Sequence, residues 1–253
     1  IVKFQKRCNK ELLTEEQYNA PHPNPNNSYG STYGEHREFL EFDLDQHKQL
    51  KKWCDECGIE YSSSVWDLTS AKEIVSLNPK LIKIPSAVNL NKPVLEYLCS
   101  NYEGEIHISF GMTTKEEEEK IVSFFESKNR AQDLVIYSCT SGYPVPFEDI
   151  CLLEISRLKN HFENRVKAIG FSGHHLGIAV DSAAIALGAS YIERHYTLDR
   201  TWKGTDHAAS LEPDGVRKLA RDCRAVYKAL QYKNDDILDI EKRENEIEKE
   251  FVY

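Results

Sequence analysis

Seven short runs of β-forming residues end, one after another, in side chains able to grip a small anion. The endings supply Lys3 and Gln5, then Ser62, Ser63 and Ser64, then Lys83 and Ser86, then Ser109, then Thr140 and Ser141, then Ser172 with His174, and last Glu193 with His195. Two lysines among many hydroxyl donors suit a phosphate or carboxylate ligand held by charge-assisted hydrogen bonds. Any one of these serines alone is an ordinary turn residue; their recurrence at matching positions is what points to a site. Lysines turned into an otherwise apolar interior are costly unless an anion pairs with them. His174 follows one run and His195 ends the next, so adjacent strands would bring both imidazoles to one metal ion. Two histidine ligands with positions left open for water fit a catalytic site better than a closed structural one. With oxygen donors around them, Mn²⁺ or Mg²⁺ is as suitable as Zn²⁺. A lone histidine is more often a satisfied, partly buried side chain, and His175 reads as a neighbour of the pair.

The elements that must position these residues alternate along the chain. The β-forming runs are 1–5, 60–64, 81–85, 105–110, 134–139, 167–172 and 191–196. Between them lie helical stretches: 46–57, 92–102 with Pro93 in its first turn, one opened by Thr113 and Glu116 as a capping box and reaching about Ser127, 148–162, and 178–187 closed by Gly188. Val216, Leu219, Cys223, Val226 and Leu230 form a helical stripe on a last helix. Such strand–helix alternation predicts a parallel sheet, and its repetition in this length predicts a (β/α)₈ TIM barrel. A doubly wound sheet is the weaker alternative, since no glycine-rich dinucleotide turn follows the early strands. Seven strands are counted where a closed barrel needs eight, which places the first strand upstream of Ile1. Residues 8–42 read as a long irregular insert. The loops 141–146, with Tyr143, and 199–213, with Asp206, read as walls around a ligand. The barrel is assigned to residues 1–238 and a charged helical tail to 239–253.

Composition bounds the partners. The 253 residues carry 32 Lys+Arg against 41 Asp+Glu, a net charge of −9, which argues against a nucleic-acid binder. No apolar run reaches the ~18–20 residues of a membrane span, and no signal-peptide pattern opens the chain. Seven scattered cysteines suggest free thiols in a reducing cytoplasm. The lone Cys54-x-x-Cys57 pair, inside a helical stretch, reads as structural.

The stretches at 2–7, 29–42, 81–87, 108–117, 139–152, 170–180 and 186–213 together resemble the sialic acid synthase family, the phosphoenolpyruvate-condensing nonulosonate synthases. The resemblance is closest to synthases that make N-acetylneuraminate from unphosphorylated N-acetylmannosamine. It implies a (β/α)₈ barrel followed by an antifreeze-like domain swapped across a homodimer. It also implies a divalent metal, usually Mn²⁺ with Mg²⁺ or Co²⁺ as alternatives, on the histidines matching His174 and His195. Phosphoenolpyruvate is then held by Lys3, Ser64, Lys83, Ser86, Ser109, Ser141 and Ser172, and the sugar by Gln5, Tyr143 and Asp206. In the implied reaction the methylene carbon of phosphoenolpyruvate attacks the open-chain aldehyde, water adds to the resulting cationic carbon, and phosphate leaves with carbon–oxygen cleavage. Lys3 and Lys83 would neutralise the departing phosphate.

Three departures accompany the match. The acidic residue of the family's first strand has no counterpart. Phe110 stands at a threonine position, and Val88 where many members carry an acid. The proton-transfer carboxylate is therefore unassigned, and little activity is expected of the 253-residue piece alone. Other readings are a synthase for legionaminate or pseudaminate, a Schiff-base aldolase barrel using Lys83 or Lys3, and a non-catalytic anion-binding barrel.

Overall fold

In the computed structural model, which describes residues 1–242, side-chain alternation builds one curled sheet with two chemically different faces. The strands are β1 (Val2–Lys6), β2 (Tyr61–Val65), β3 (Leu81–Ile84), β4 (Glu105–Ser109), β5 (Leu134–Cys139), β6 (Ala168–Gly173) and β7 (Tyr191–Arg194). All neighbours pair parallel in the order β1-β2-β3-β4-β5-β6-β7. Each expected run is thus a strand, to within one or two residues. Among the described residues the sheet has these seven strands and no eighth, so the closed (β/α)₈ form is not reached. The curl is nevertheless strong enough for Lys3 on β1 to lie 3.5 Å from Glu193 on β7.

One face of the sheet carries Val65, Ile82, Ile84, Ile106, Ile108, Leu134, Ile136, Ile169 and Phe171, all buried in the core with the helices. The helices are α1 (Asn9–Leu12), α2 (Glu15–Asn19), α3 (Tyr33–Leu40), α4 (Leu44–Glu56), α5 (Leu68–Ser76), α6 (Lys92–Asn101), α7 (Lys115–Ser127), α8 (Glu154–Phe162), α9 (Ala179–Ala186) and α10 (Pro213–Ala229). Burying such aliphatic side chains contributes roughly 1.5–3 kcal/mol each. The other face, set one residue out of phase along each strand, is polar and encloses the inside of the curl.

Several local expectations are corrected. The insert 8–42 is not irregular: it holds α1, α2, α3 and a 3₁₀ turn at Pro25–Asn27, with capping side chains from Thr14, Asn24 and Thr32. The capping box of α7 is Thr114 with Glu117, one residue on from the expected pair, because Thr113 spends its hydroxyl on Gly111 O. The stretch 148–162 breaks at Cys151 (φ 52°) into a 3₁₀ turn, Phe147–Ile150, and α8. The stripe on α10 exists, but none of that helix's residues is buried, and Val216 and Leu230 are exposed. Of the tail reading for 239–253, residues 243–253 lie outside the described residues. Among the described residues no helix is long and apolar enough to cross a membrane.

Candidate functional site

Strand register brings the inward residues into levels. At the lower level, the Glu105 carboxylate accepts from Tyr191 Oη (3.0 Å) and lies 3.1 Å from both His107 Nε2 and Lys167 Nζ. His107 Nδ1 meets Tyr137 Oη at 2.7 Å. Burial pushes His107 down to about 4, so it is neutral near pH 7. The Tyr137 ring lies against Gly170, where a Cβ would sit 2.6 Å from the ring. The ring forms a floor, with Lys83 Nζ 4.3 Å above its centroid, a cation–π contact.

Above this floor the predicted anion grip assembles around one carboxylate. Lys83, 2% exposed, donates to both oxygens of Glu193 at 2.8 Å. Ser172 Oγ donates to Glu193 Oε1 at 2.8 Å, Lys3 Nζ is 3.5 Å from Glu193 Oε2, and Lys3 also donates to Ser64 Oγ at 2.9 Å. Burial alone would raise the Glu193 carboxyl, but Lys3, Lys83 and Ser172 outweigh it and hold the group well below the usual range. The opposing effect on Lys83 is burial, which lowers its pKa despite Glu193.

Ser86 and Ser141 converge beside this cluster because Gly111 has no side chain. A Cβ there would lie 2.5 Å from Ser141 Oγ and 2.8 Å from Ser86 Oγ, and Gly111 N–H donates to Ser86 Oγ at 3.0 Å. The Ser109 hydroxyl is buried and has no partner among the described residues. Ser62, Ser63 and Thr140 spend their hydroxyls on backbone carbonyls instead. A cavity of about 460 Å³ lies instead toward α7 and α8, lined by Phe110, Glu118, Ser138, Ile150, Arg157 and Leu158, and of the chosen site residues only Thr140 and Ser141 border it.

His174 and His195 do converge, with ring centroids 5.3 Å apart. His174 Nδ1 donates to Thr140 O at 2.9 Å, and the ring also meets the Cys139 thiol. His195 Nδ1 is 3.6 Å from Asp206 Oδ2. Burial holds His195 below its ordinary value, in the neutral form that binds metals. Burial opposes protonation of His174, but the Cys139 thiol and Thr140 O outweigh it and raise its pKa. Tyr143 packs over both rings, 4.5 Å from His174 and 5.6 Å from His195. Among the described residues no group of three or more His, Cys, Asp or Glu is spaced to enclose a metal ion. The two imidazoles, 5.3 Å apart at their centroids, are the pair of nitrogen-bearing side chains that could hold a divalent ion here.

Gln5 accepts from Arg7, whose guanidinium stacks 4.0 Å over Trp66 and pairs with Glu41 at 3.2 Å. Sequence reasoning missed Arg7, Cys139 and the whole Glu105–His107–Tyr137–Tyr191 floor. It placed Glu193 at a strand end without giving it a role. The signal was present for all of them: each, Arg7 included, lies an even number of residues from a chosen site residue in the same strand or just past its end.

A family model described as the NeuB family matches residues 1–235. The N-acetylneuraminate-9-phosphate synthase of Homo sapiens is 37% identical over 250 residues, covering 97% of this chain and 67% of that protein. The N,N'-diacetyllegionaminic acid synthase of Campylobacter jejuni is 33% identical over 231 residues, 91% of this chain and 68% of that one. Among solved structures, an N-acetylneuraminic acid synthetase of Leptospira borgpetersenii superposes with a TM-score of 0.80 at 26% identity, over 98% of this chain and 80% of that chain.

Proposed function

The chain belongs to the NeuB family, the sialic acid synthases, and from that membership we propose that it is a nonulosonate synthase joining phosphoenolpyruvate to an N-acetylated amino sugar. The observation that carries the reading is the paired-lysine seat of Lys3 and Lys83, already gripping a carboxylate, next to two converging imidazoles. Phosphoenolpyruvate brings a carboxylate and a phosphate, and the serines 64, 86, 109, 141 and 172 supply short donors around the lysines. His174 and His195 would hold the divalent ion, Mn²⁺ first and Mg²⁺ or Co²⁺ as substitutes. When bound, such an ion supplies Lewis-acid polarisation of the sugar aldehyde.

The chain's own residues do the rest. The methylene carbon forms a bond to the aldehyde carbon, water oxygen adds at the former enol carbon, and the carbon–oxygen bond to phosphate breaks as that carbon becomes a ketone; of the two protons the water gives up, one ends on the former aldehyde oxygen and one on the departing phosphate. Lys3 and Lys83 counter the charge of the leaving phosphate, prearranged and out of bulk water. Glu193 is the carboxylate in hydrogen-bond reach of that seat: ionised between Lys3 and Lys83, it keeps both ammonium groups charged and in place for the incoming anion. Tyr143 and Asp206 face the sugar from the two loops, and Gln5 from β1.

The first sugar is N-acetylmannosamine, giving N-acetylneuraminate. The name of the Homo sapiens relative favours a second reading, a sugar already carrying phosphate. The test incubates the full-length protein with Mn²⁺, phosphoenolpyruvate and, separately, N-acetylmannosamine, its 6-phosphate and the precursor of diacetyllegionaminate, and follows phosphate release. Release with one sugar, lost about a hundredfold or more in H174A and H195A, supports the synthase. Phosphoenolpyruvate binding by calorimetry with no release from any sugar would instead mark a non-catalytic anion-binding barrel.

A further inference from the structure

The β6–β7 ladder ends at the pair Gly173 and Arg194. His174 and His195 each stand one residue beyond that last paired rung, at the open end of the ladder, where no further strand pairing fixes the spacing of their rings. Arg194 sits between Glu193 and His195, and period-two alternation turns its side chain to the opposite face, toward the helices. An arginine there is costly unless it is fully engaged, and it is buried at 3% side-chain exposure.

Its guanidinium ends on the turn that carries His174. Nη2 donates to His175 O at 2.6 Å, and Nη1 donates to Gly177 O at 2.9 Å and to Asp181 Oδ2 at 2.5 Å. Asp181, in the first turn of α9, and His175 are fully buried, and His175 Nε2 lies 3.1 Å from Arg194 Nη1. The ion pair is neutral overall and adds no net charge behind the histidines. It is also incompletely satisfied: His175 Nδ1, Asp181 Oδ1 and Arg194 Nε are buried without partners. A buried ion pair of that quality adds little stability, whereas its fork bolts the strand of one imidazole to the turn of the other.

We infer that Arg194, held by Asp181, is a positioning residue that sets the spacing of His174 and His195 for a single divalent ion. This rests on the two-histidine metal site proposed above. Arg130 provides a comparable control: it grips three carbonyls, those of Cys99, Tyr102 and Gly104, where Arg194 grips two, and it likewise pairs with an aspartate, Asp133, but at the opposite end of the strands.

The test measures Mn²⁺ dissociation constants by electron paramagnetic resonance on the full-length protein and its variants. Because R194M alone strands a buried aspartate, the main variant is R194M/D181L, which removes both charges, with R194K keeping charge but losing the fork. Expected are tenfold or greater weakening in R194M/D181L, a smaller loss in R194K, and a constant within twofold of the parent in R130M despite its own loss of thermal stability. A folded R194M/D181L that binds within twofold of the parent would overturn the inference, as would an equal loss in R130M. Failure of the metal site itself shows separately: the parent would not bind Mn²⁺, or H174A would bind as well as the parent, and the inference would fall with it.

Discussion

Replacing Lys83 by Met separates what the buried lysine does for folding from what it does for chemistry. Its ammonium lies 2.8 Å from both Glu193 oxygens. At an effective dielectric of about 20 that pair attracts by about 6 kcal/mol gross, and Lys3 at 3.5 Å contributes about 5 kcal/mol more. Both figures are offset by desolvation of several kcal/mol per ion. K83M leaves a buried carboxylate with only Lys3 and Ser172, for a net loss of about 3–5 kcal/mol. E193M leaves two lysines facing each other and should lose a similar amount. In K83M/E193M the pair is replaced by volume-matched apolar side chains, and stability should return to within about 1–2 kcal/mol of the parent, giving a coupling of about 3 kcal/mol or more. Urea unfolding of the four proteins near neutral pH measures this. Phosphate release, measured in parallel, should be down about a hundredfold or more in all three variants, including the restored double variant. Single-variant losses that add within about 0.5 kcal/mol would refute the pairing argument. A stable double variant with parental turnover would refute the anion seat.

Stability should fall on acidification, because His47 and His107 are held down to about 4, chiefly by burial, while in the unfolded chain they titrate near 6.5. Between those values the unfolded chain binds more protons, so stability is full above about pH 6.5 and drops by a few kcal/mol toward pH 4. A flat urea-unfolding profile across that window would contradict it. In G111A the added methyl must push Ser86 and Ser141 apart, and KM for phosphoenolpyruvate should rise about tenfold, on the scale of an overpacking strain of 1–3 kcal/mol; an unchanged KM would remove those serines from the substrate grip. With pyruvate and borohydride, mass spectrometry should find no adduct on Lys3 or Lys83, since Glu193 engages both ammonium groups; a trapped adduct would favour a Schiff-base aldolase.

The strands were legible because β-branched residues and polar ones alternate along them, and the same alternation put Lys3, Ser64, Lys83 and Ser172 on one face. What joins them was not legible. Lys83 and Glu193 are 110 residues apart, and nothing local in either strand names the other. Arg194 was hidden for a different reason: it lies between two site residues and points away from both. Helix α5 went unnamed between two strong strands, although Asp67 caps it and Ile74 and Ala71 bury its inner side. The insert 8–42 was read as loop from its prolines and asparagines, yet Pro25 starts a 3₁₀ turn and Asn24 caps it.

The two faces of the sheet also bear on how the protein responds to temperature. Apolar surface exposed on unfolding raises the heat capacity and polar surface lowers it. Here the aliphatic side of the strands meets the helices, while Glu105, His107, Tyr137, Tyr191, Lys83 and Glu193 fill the enclosed side. The two contributions partly cancel, so the calorimetric step per residue should fall below the usual 12–15 cal/mol/K or so. A smaller step means a broader, flatter stability curve, and a protein that loses less of its stability in the cold than one with an oily barrel interior.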